Sequence, residues 1–127
     1  MVPLQVLNAP NPKTLSDADR ARIAADLEQL APGSVRFDRH DRMLYSTDAS
    51  IYQIEPLGVV VPDSIDTLIR IVSYCGVQHL PILMRGGGTS LPGQCTNRAV
   101  VIDHSALCRR LLAVDAEHRV CHVEPGI

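Results

Sequence analysis

The residues best suited to chemistry form one short loop, residues 85–90, with the sequence Arg-Gly-Gly-Gly-Thr-Ser. Glycine has no Cβ, so successive glycines let the backbone adopt positive φ and let a ligand approach closely. Their amide N–H groups can then converge on one anion, and the hydroxyls of Thr89 and Ser90 add further donors. Arg85 either adds positive charge beside the anion or serves as a structural ion-pair partner. A tight turn alone would need fewer glycines, so the loop predicts a phosphate site.

Two common phosphate-binding loops do not fit this sequence. The dinucleotide fingerprint G-x-G-x-x-G would need glycine where Leu91 stands. The P-loop pattern G-x-x-x-x-G-K-[ST] is met by the glycines at 88 and 93, but Gln94 and Cys95 stand where Lys and Ser or Thr are required. The loop therefore belongs to neither class.

Apolar runs and helical patterns must hold this loop in place. The first apolar run is continuous and β-branched, which is typical of a strand buried on both faces of a parallel sheet. A helical stripe that begins after Ser64 and ends at Gly76 connects the first two strands, in the length of a βαβ unit. A polar turn at residues 115–118 separates the last two strands and predicts a hairpin. The predicted strands comprise residues 58–61, 80–84, 99–103, 111–114 and 119–123.

The sequence before the first strand predicts a packing helix and a polar segment. Ser16 is a candidate N-cap with Asp19 three residues on, a variant of the capping box, and apolar residues recur at helical spacing up to Leu30. Residues 1–13 carry several prolines and predict an extended or poorly ordered lead-in. Charges and turn formers over residues 34–56 predict a loop with short helical turns on a solvated or partner-facing surface.

Composition restricts the classes of function. The chain has 127 residues and a net charge of −2, which suits one small domain and argues against a nucleic-acid surface. The four cysteines form no C-x-x-C pair, so we expect reduced thiols and no metal site. No apolar run could span a membrane and the start lacks a signal-peptide pattern, so we expect a cytosolic protein without a transmembrane segment. No closing element is predicted after residue 123, so we expect that the sequence is cut short.

Residues 81–94, PILMRGGGTSLPGQ, resemble the pyrophosphate loop of the FAD-binding domain in the vanillyl-alcohol oxidase and p-cresol methylhydroxylase (PCMH) family. The resemblance is greatest to the glycolate oxidase and D-lactate dehydrogenase group. It continues in LGVVVPDS at 57–64, in the strands at 100–103 and 111–115, and in VEPGI at 123–127.

The resemblance implies an α+β, PCMH-type FAD-binding fold, with an N-terminal βαβ subdomain and the beginning of a second, mostly antiparallel β subdomain. Residues 41–127 would form this domain, incomplete at its C-terminus. Residues 1–40 would form an N-terminal extension with one amphipathic helix.

The resemblance also implies a role for each matching residue. The loop would hold the FAD pyrophosphate, Val61 and Pro62 would line the adenine side, and Pro125 and Gly126 would lie near the flavin. Thr89 stands where some relatives carry a histidine bonded to the flavin, so non-covalent FAD is implied. The FAD-binding residues implied in this way are Val61, Pro62, Arg85, Gly86, Gly87, Gly88, Thr89, Ser90, Gly93, Gln94, Pro125 and Gly126.

The activity implied is oxidation of a D-2-hydroxy acid of lactate, glycolate or 2-hydroxyglutarate type, by hydride transfer to flavin. Residues 48–52, DASIY, are similar to long relatives that carry an iron–sulfur domain, which implies such a domain or subunit as electron acceptor. The catalytic groups would lie outside this chain, so we expect the chain alone to be inactive and to hold FAD poorly. We expect the five histidines to be ordinary residues without catalytic roles. Two alternatives stay open: a non-catalytic nucleotide- or phosphate-binding module, and an inactive truncated fragment.

Overall fold

A computed structural model describes residues 15–106 and 108–127. The predicted lead-in at residues 1–13 lies outside the described residues. The elements in chain order are α1 Asp17–Leu30, β1 Val35–Arg36, α2 Arg39–Leu44, β2 Gly58–Val60, α3 Ile65–Val77, β3 Ile82–Arg85, β4 Val100–Asp103, β5 Leu111–Asp115 and β6 Val120–Val123.

Helix α1 begins at the predicted capping box. The Ser16 hydroxyl accepts from the Asp19 amide at 3.1 Å, and the Asp19 carboxylate accepts from the Ser16 amide at 3.0 Å. These two bonds satisfy donors that the first helical turn leaves free. Ile23 and Leu27 lie one turn apart on the buried face and enter the hydrophobic core. A helix thus lies where the sequence predicted one, and it packs against the core through these two residues.

The main sheet has the strand order β1-β2-β4-β3. Strands β2, β4 and β3 run parallel, and β1 pairs with β2 in the antiparallel sense. Strand β4 lies between the two strands that the βαβ pattern joins, so β3 is an edge strand. Every residue of β4 is buried, whereas the side chains of Ile82 and Met84 in β3 are exposed. The continuous apolar run at 100–102 thus occupies the centre of the sheet, where both faces are covered.

Helix α3 connects β2 to β3 and packs against α1. The Ser64 hydroxyl caps α3 by accepting from the Thr67 amide at 3.2 Å. Ile71 and Cys75 are fully buried in the core. The helix continues one residue past Gly76, where the sequence predicted its end, because Gly76 keeps helical geometry and Gln78 forms the C-cap.

The segment before β2 is more regular than the sequence predicted. Residues 34–56, predicted as a loop with short helical turns, contain both α2 and the strand β1, which adds to the sheet through Val35 opposite Val60. A two-residue strand leaves no periodic signal in the sequence, so only pairing with β2 reveals it. Helix α1 contributes to the core shared with β2 and β4. We therefore propose that the folded unit begins with α1 rather than at residue 41.

Strands β5 and β6 form the predicted hairpin as a separate two-stranded antiparallel sheet. The turn is held by Asp115, whose carboxylate accepts from the backbone amide of His118 at 2.9 Å. All residues of both strands are exposed. Within the part of the chain that the structure describes, no helix combines the length and apolar character that crossing a bilayer requires.

Candidate functional site

Three parallel strands end at the same edge of the main sheet. Val61 follows β2, the glycine loop follows β3, and His104 follows β4. In open α/β sheets, ligands bind outside the carboxyl ends of the strands, where loops rather than regular structure present their groups. The predicted phosphate loop therefore lies at the edge of the sheet where a ligand site is expected.

The three glycines of the loop differ in what the protein itself requires of them. Gly88 has φ of +67°, and a Cβ there would come within 2.6 Å of the Arg85 Nη2 atom. The φ angles of Gly86 and Gly87 are not positive. A Cβ on Gly86 would meet only His104 Cε1 and one on Gly87 only Thr89 Cγ2, each at an ordinary 3.7 Å. The fold thus explains glycine at 88, whereas at 86 and 87 it leaves room for another molecule beside the backbone.

The side chain of Arg85 holds the surrounding segments together. Its guanidinium donates to the backbone carbonyls of Cys95 and Thr47, both at 2.9 Å, and of Tyr45 at 3.3 Å. It also lies 5.1 Å from the centre of the Tyr45 ring, within cation–π range. Of the two roles that the sequence left open, the structure shows a structural one, in which the partners are carbonyl oxygens rather than a carboxylate. The positive charge remains at the base of the loop.

Asp48 fixes the segment that covers this arginine. Its carboxylate accepts from the backbone amides of Ser50 at 2.9 Å and Cys95 at 3.1 Å. The hydrogen bonds from Ser50 hold the pKa of Asp48 below its ordinary value. The next residue, Ala49, donates its amide to the Gly88 carbonyl at 3.0 Å. Residues 45–50, which match no common phosphate-binding motif, therefore set the conformation of the loop.

Tyr45 and Asp103 form a second contact beneath the site. The Tyr45 hydroxyl donates to Asp103 at 2.6 Å, and the Ser105 hydroxyl donates to the other carboxylate oxygen at 2.6 Å. Asp103 is only 8% exposed, so these donors are needed to keep its carboxylate from being buried without partners. Burial and the bond to Asp103 raise the pKa of Tyr45 to about 12. The sequence did not predict this pair. The feature that could have indicated it is the carboxylate of Asp103 at the end of an apolar strand.

His104 is neither a surface histidine nor a fully hydrogen-bonded one, although the sequence predicted one or the other for all five histidines. It is 8% exposed, and its Nδ1 atom is buried with no hydrogen-bond partner in the described part of the chain. Its ring lies next to Gly86. Buried polar atoms without partners are rare in folded proteins, and a bound group is one explanation for them. A ring nitrogen without a partner beside Gly86 is consistent with a polar ligand group at this loop.

The other predicted site residues lie around the loop in different environments. The Ser90 hydroxyl donates to the Gln94 side chain at 2.9 Å, and the side chain of Thr89 is exposed. Gly93 has φ of +81°, and a Cβ there would lie 2.5 Å from the Tyr52 ring.

The remaining predicted positions lie near the ends of strands. A Cβ on Gly126 would collide with the carbonyls of His104 and Cys108, so glycine at 126 is required by packing. Val61 is half-buried, Pro62 is buried and Pro125 is exposed. Fold requirements thus account for glycine at 93 and 126, as they do at 88.

The four cysteines contribute to the surroundings of the loop only through the backbone of Cys95. All of them are free, with Cys75 and Cys108 buried, Cys95 half-buried and Cys121 exposed. Burial raises the pKa of the Cys75 thiol to about 11, which keeps it protonated at neutral pH. Cys75 and Cys108 thus behave as small core residues.

Comparison with known protein families gives one family match over most of this site. The family described as "FAD binding domain" matches residues 56–127, which include the glycine loop and all three parallel strands.

Similar proteins of known sequence carry the names of 2-hydroxy acid enzymes. D-2-hydroxyglutarate dehydrogenase of Pantoea ananatis is 36% identical over 90 residues, which cover 68% of this chain and 9% of that protein. Glycolate oxidase subunit GlcD of Bacillus subtilis is 33% identical over 106 residues, which cover 79% of this chain and 23% of the subunit. The chain therefore spans between about a tenth and a quarter of the curated relatives it matches.

Solved structures share the fold at low sequence identity. Alkyldihydroxyacetonephosphate synthase superposes with a TM-score of 0.71 at 20% identity, over 84% of this chain and 23% of that one. p-Cresol methylhydroxylase superposes with a TM-score of 0.70 at 16% identity, over 91% of this chain and 24% of that one. The predicted α+β, PCMH-type fold is confirmed.

Proposed function

The chain belongs to the FAD-binding domain family, and from that premise we propose that it supplies the pyrophosphate-binding loop of an FAD-dependent oxidoreductase that oxidises a D-2-hydroxy acid. One observation carries the proposal: Gly86 and Gly87 lie at the carboxyl edge of the parallel strands, and no positive φ or steric contact requires glycine at either position. The space that a side chain would take is left beside backbone amides that can bind a phosphate.

The residues of this chain bind and position the cofactor in this proposal. The amides at 86–88 and the hydroxyl of Thr89 would donate to the pyrophosphate oxygens, which are acceptors only, and the Ser90 hydroxyl would join them by exchanging its bond to Gln94 for one to the phosphate. Arg85 contributes its positive charge from the base of the loop, where its own donors bind carbonyls. Threonine at position 89 cannot form the histidyl bond to flavin that some relatives carry, so the resemblance implies that FAD would be held non-covalently. FAD, when bound, supplies the ring that accepts the hydride.

We propose the residues that form the wall of the FAD site from the family resemblance and from their positions in the fold. Val61 and Pro62 follow β2 and would line the adenine side, while Gly93 and Gln94 extend the loop. Pro125 and Gly126 would lie near the flavin. Packing explains glycine at 93 and 126, so their contribution is to shape the wall rather than to leave space for FAD itself.

The substrate and electron acceptor belong to the whole protein. The names of the relatives, a D-2-hydroxyglutarate dehydrogenase and a glycolate oxidase subunit, favour a 2-hydroxy acid. Similarity of residues 48–52 to long relatives with an iron–sulfur domain favours such a domain or subunit as acceptor. A cytosolic location likewise stays a prediction.

The test uses the full-length protein in which this chain occurs. The purified protein is stripped of nucleotide, and its melting temperature is measured with FAD and with ATP at equal concentration. We expect stabilisation by FAD alone, release of the flavin on denaturation, and bleaching of the oxidised-flavin absorbance by the D enantiomers of 2-hydroxy acids but not by the L enantiomers.

The two halves of the proposal can fail separately. Stabilisation by ATP without stabilisation by FAD would favour a non-catalytic nucleotide-binding module instead. FAD binding without reduction by any D-2-hydroxy acid would retain the cofactor site and remove the proposed substrate class. Flavin that stays with the denatured protein would contradict non-covalent binding.

A further inference from the structure

A cavity lies away from the glycine loop, at the amino-terminal ends of the parallel strands. It has a volume of about 260 Å³, and its lining includes Leu57, which precedes β2, and Arg98, which precedes β4 by two residues. Ligand pockets for drug-sized molecules measure roughly 300–1,000 Å³, so this cavity suits a smaller molecule. The opposite end of the strands carries the glycine loop, so the two sites are distinct.

The lining of this cavity is strongly positive. Three arginines contribute to it, Arg20 from α1, Arg42 from α2, and Arg98, and Glu55 is its only carboxylate among the described residues. The lining residues carry a net charge of +2, and Asp17, which pairs with Arg20 from outside the lining, reduces the local charge to +1. No ion pair involving Arg98 occurs in the described part of the chain. Like charges held around one concave surface repel one another, and an anion between them would relieve that repulsion.

The ion pairs of Arg20 and Arg42 leave the Nε atom of each guanidinium without a partner among the described residues. Arg20 uses Nη1 for Asp17 at 2.6 Å, and Arg42 uses Nη1 for Glu55 at 3.0 Å. Their Nε atoms are buried and have no hydrogen-bond partner among the described residues. Nε and Nη2 together form the side-on fork with which arginine binds phosphate or carboxylate in bidentate fashion. The Nε half of each fork thus lacks the acceptor that this geometry suits.

We propose that this cavity, lined by Arg20, Arg42 and Arg98, binds phosphate or the phosphoryl group of a small phosphate monoester. A phosphate ion supplies the negative charge that this excess of arginines lacks, and its several oxygens can accept from more than one guanidinium at once. Because both Nε atoms are buried, the Arg20 and Arg42 side chains, which are 24% and 13% exposed, must turn to bring their forks to the anion. Arg98 closes the site from the strand side.

The test measures phosphate binding to the full-length protein by calorimetry, with FAD present in excess so that the glycine loop is occupied. Inorganic phosphate and glycerol 2-phosphate are the probes, and chloride keeps the ionic strength constant. Arg98→Gln and Arg20→Gln are compared with Arg22→Gln, which changes an arginine of the same helix that does not line the cavity. We expect saturable binding by the wild type, weakened about tenfold by Arg98→Gln and by Arg20→Gln and unchanged by Arg22→Gln.

The outcomes separate this site from the cofactor site. Weaker binding of the monoester than of phosphate assigns the site to the free ion, and the reverse assigns it to an ester. Absence of saturable binding, or binding that Arg98→Gln and Arg20→Gln both leave intact, overturns the proposal. Should FAD fail to bind at all, the phosphate titration without FAD still reports on the arginine cavity through the same variants.

Discussion

The guanidinium of Arg85 lies where a side chain on Gly88 would have to go. A Cβ at position 88 would come within 2.6 Å of Arg85 Nη2. The same guanidinium bonds to the carbonyls of Tyr45, Thr47 and Cys95, so it joins the glycine loop to two other segments. Glycine at 88 therefore serves the fold, and this separates it from Gly87, beside which the protein leaves open space.

Gly88→Ala should destabilise the protein even without a ligand. The φ of +67° is unfavourable for alanine, and the new Cβ would displace Arg85 from its carbonyl partners. We expect the free energy of unfolding to fall by about 1–3 kcal/mol, measured by urea denaturation of the nucleotide-free full-length protein. A variant as stable as the wild type would show that a side chain at position 88 does not displace the Arg85 guanidinium from its carbonyl partners.

Gly87→Ala should behave in the opposite way. A Cβ at 87 meets only Thr89 Cγ2 at 3.7 Å, so we expect an unchanged melting temperature without FAD. The added methyl group would occupy the space left for the pyrophosphate, and we expect FAD affinity to fall about tenfold or more. Flavin fluorescence titration measures the affinity. Gly76→Ala, at an exposed helical position with no neighbour within 4 Å, is the matched control and should leave FAD affinity unchanged.

The stability of the protein should fall at alkaline pH because the hydroxyls of Tyr45 and Tyr74 lose their protons. Burial, and then hydrogen bonds to Asp103 and Asp26, raise the pKa of each from 10.0 to about 12. The unfolded chain loses these protons first, so their contribution is fully present below pH 10.0 and is lost as the pH rises towards 12. We expect the alkaline fall in melting temperature to be smaller in Tyr74→Phe. An identical alkaline profile in that variant would contradict the raised pKa of Tyr74.

His104→Leu should not destabilise the nucleotide-free protein. The ring is 8% exposed and its buried Nδ1 has no partner in the described structure, so an apolar side chain of similar volume removes an unsatisfied group. We expect an equal or higher melting temperature than the wild type, with His104→Gln as the polar comparison. A clear loss of stability in the leucine variant alone would show that the ring nitrogen has a partner in the full-length protein.

Sequence patterns predicted the elements that depend on local or continuous signals. The capping box at Ser16, the cap at Ser64, the buried strands and the hairpin each follow from residues close together in the chain. Strand β1 was missed, because two residues carry no periodicity and Val35 becomes a strand only by pairing with Val60. The order of the strands was missed for the same reason, since nothing local places β4 between β2 and β3.

The sequence by itself determined that residues 85–90 suit a phosphate, since consecutive glycines after a strand free the backbone amides wherever the loop lies. Only the tertiary structure decided which glycine the fold requires and which ones leave space for a ligand, because this depends on atoms far away in the chain. Residues 45–50 lie about 40 positions from Arg85, yet their carbonyls hold its guanidinium against Gly88. The orphaned nitrogen of His104 and the arginine cavity are likewise products of packing, because burial and unpaired donors are properties of neighbours in space.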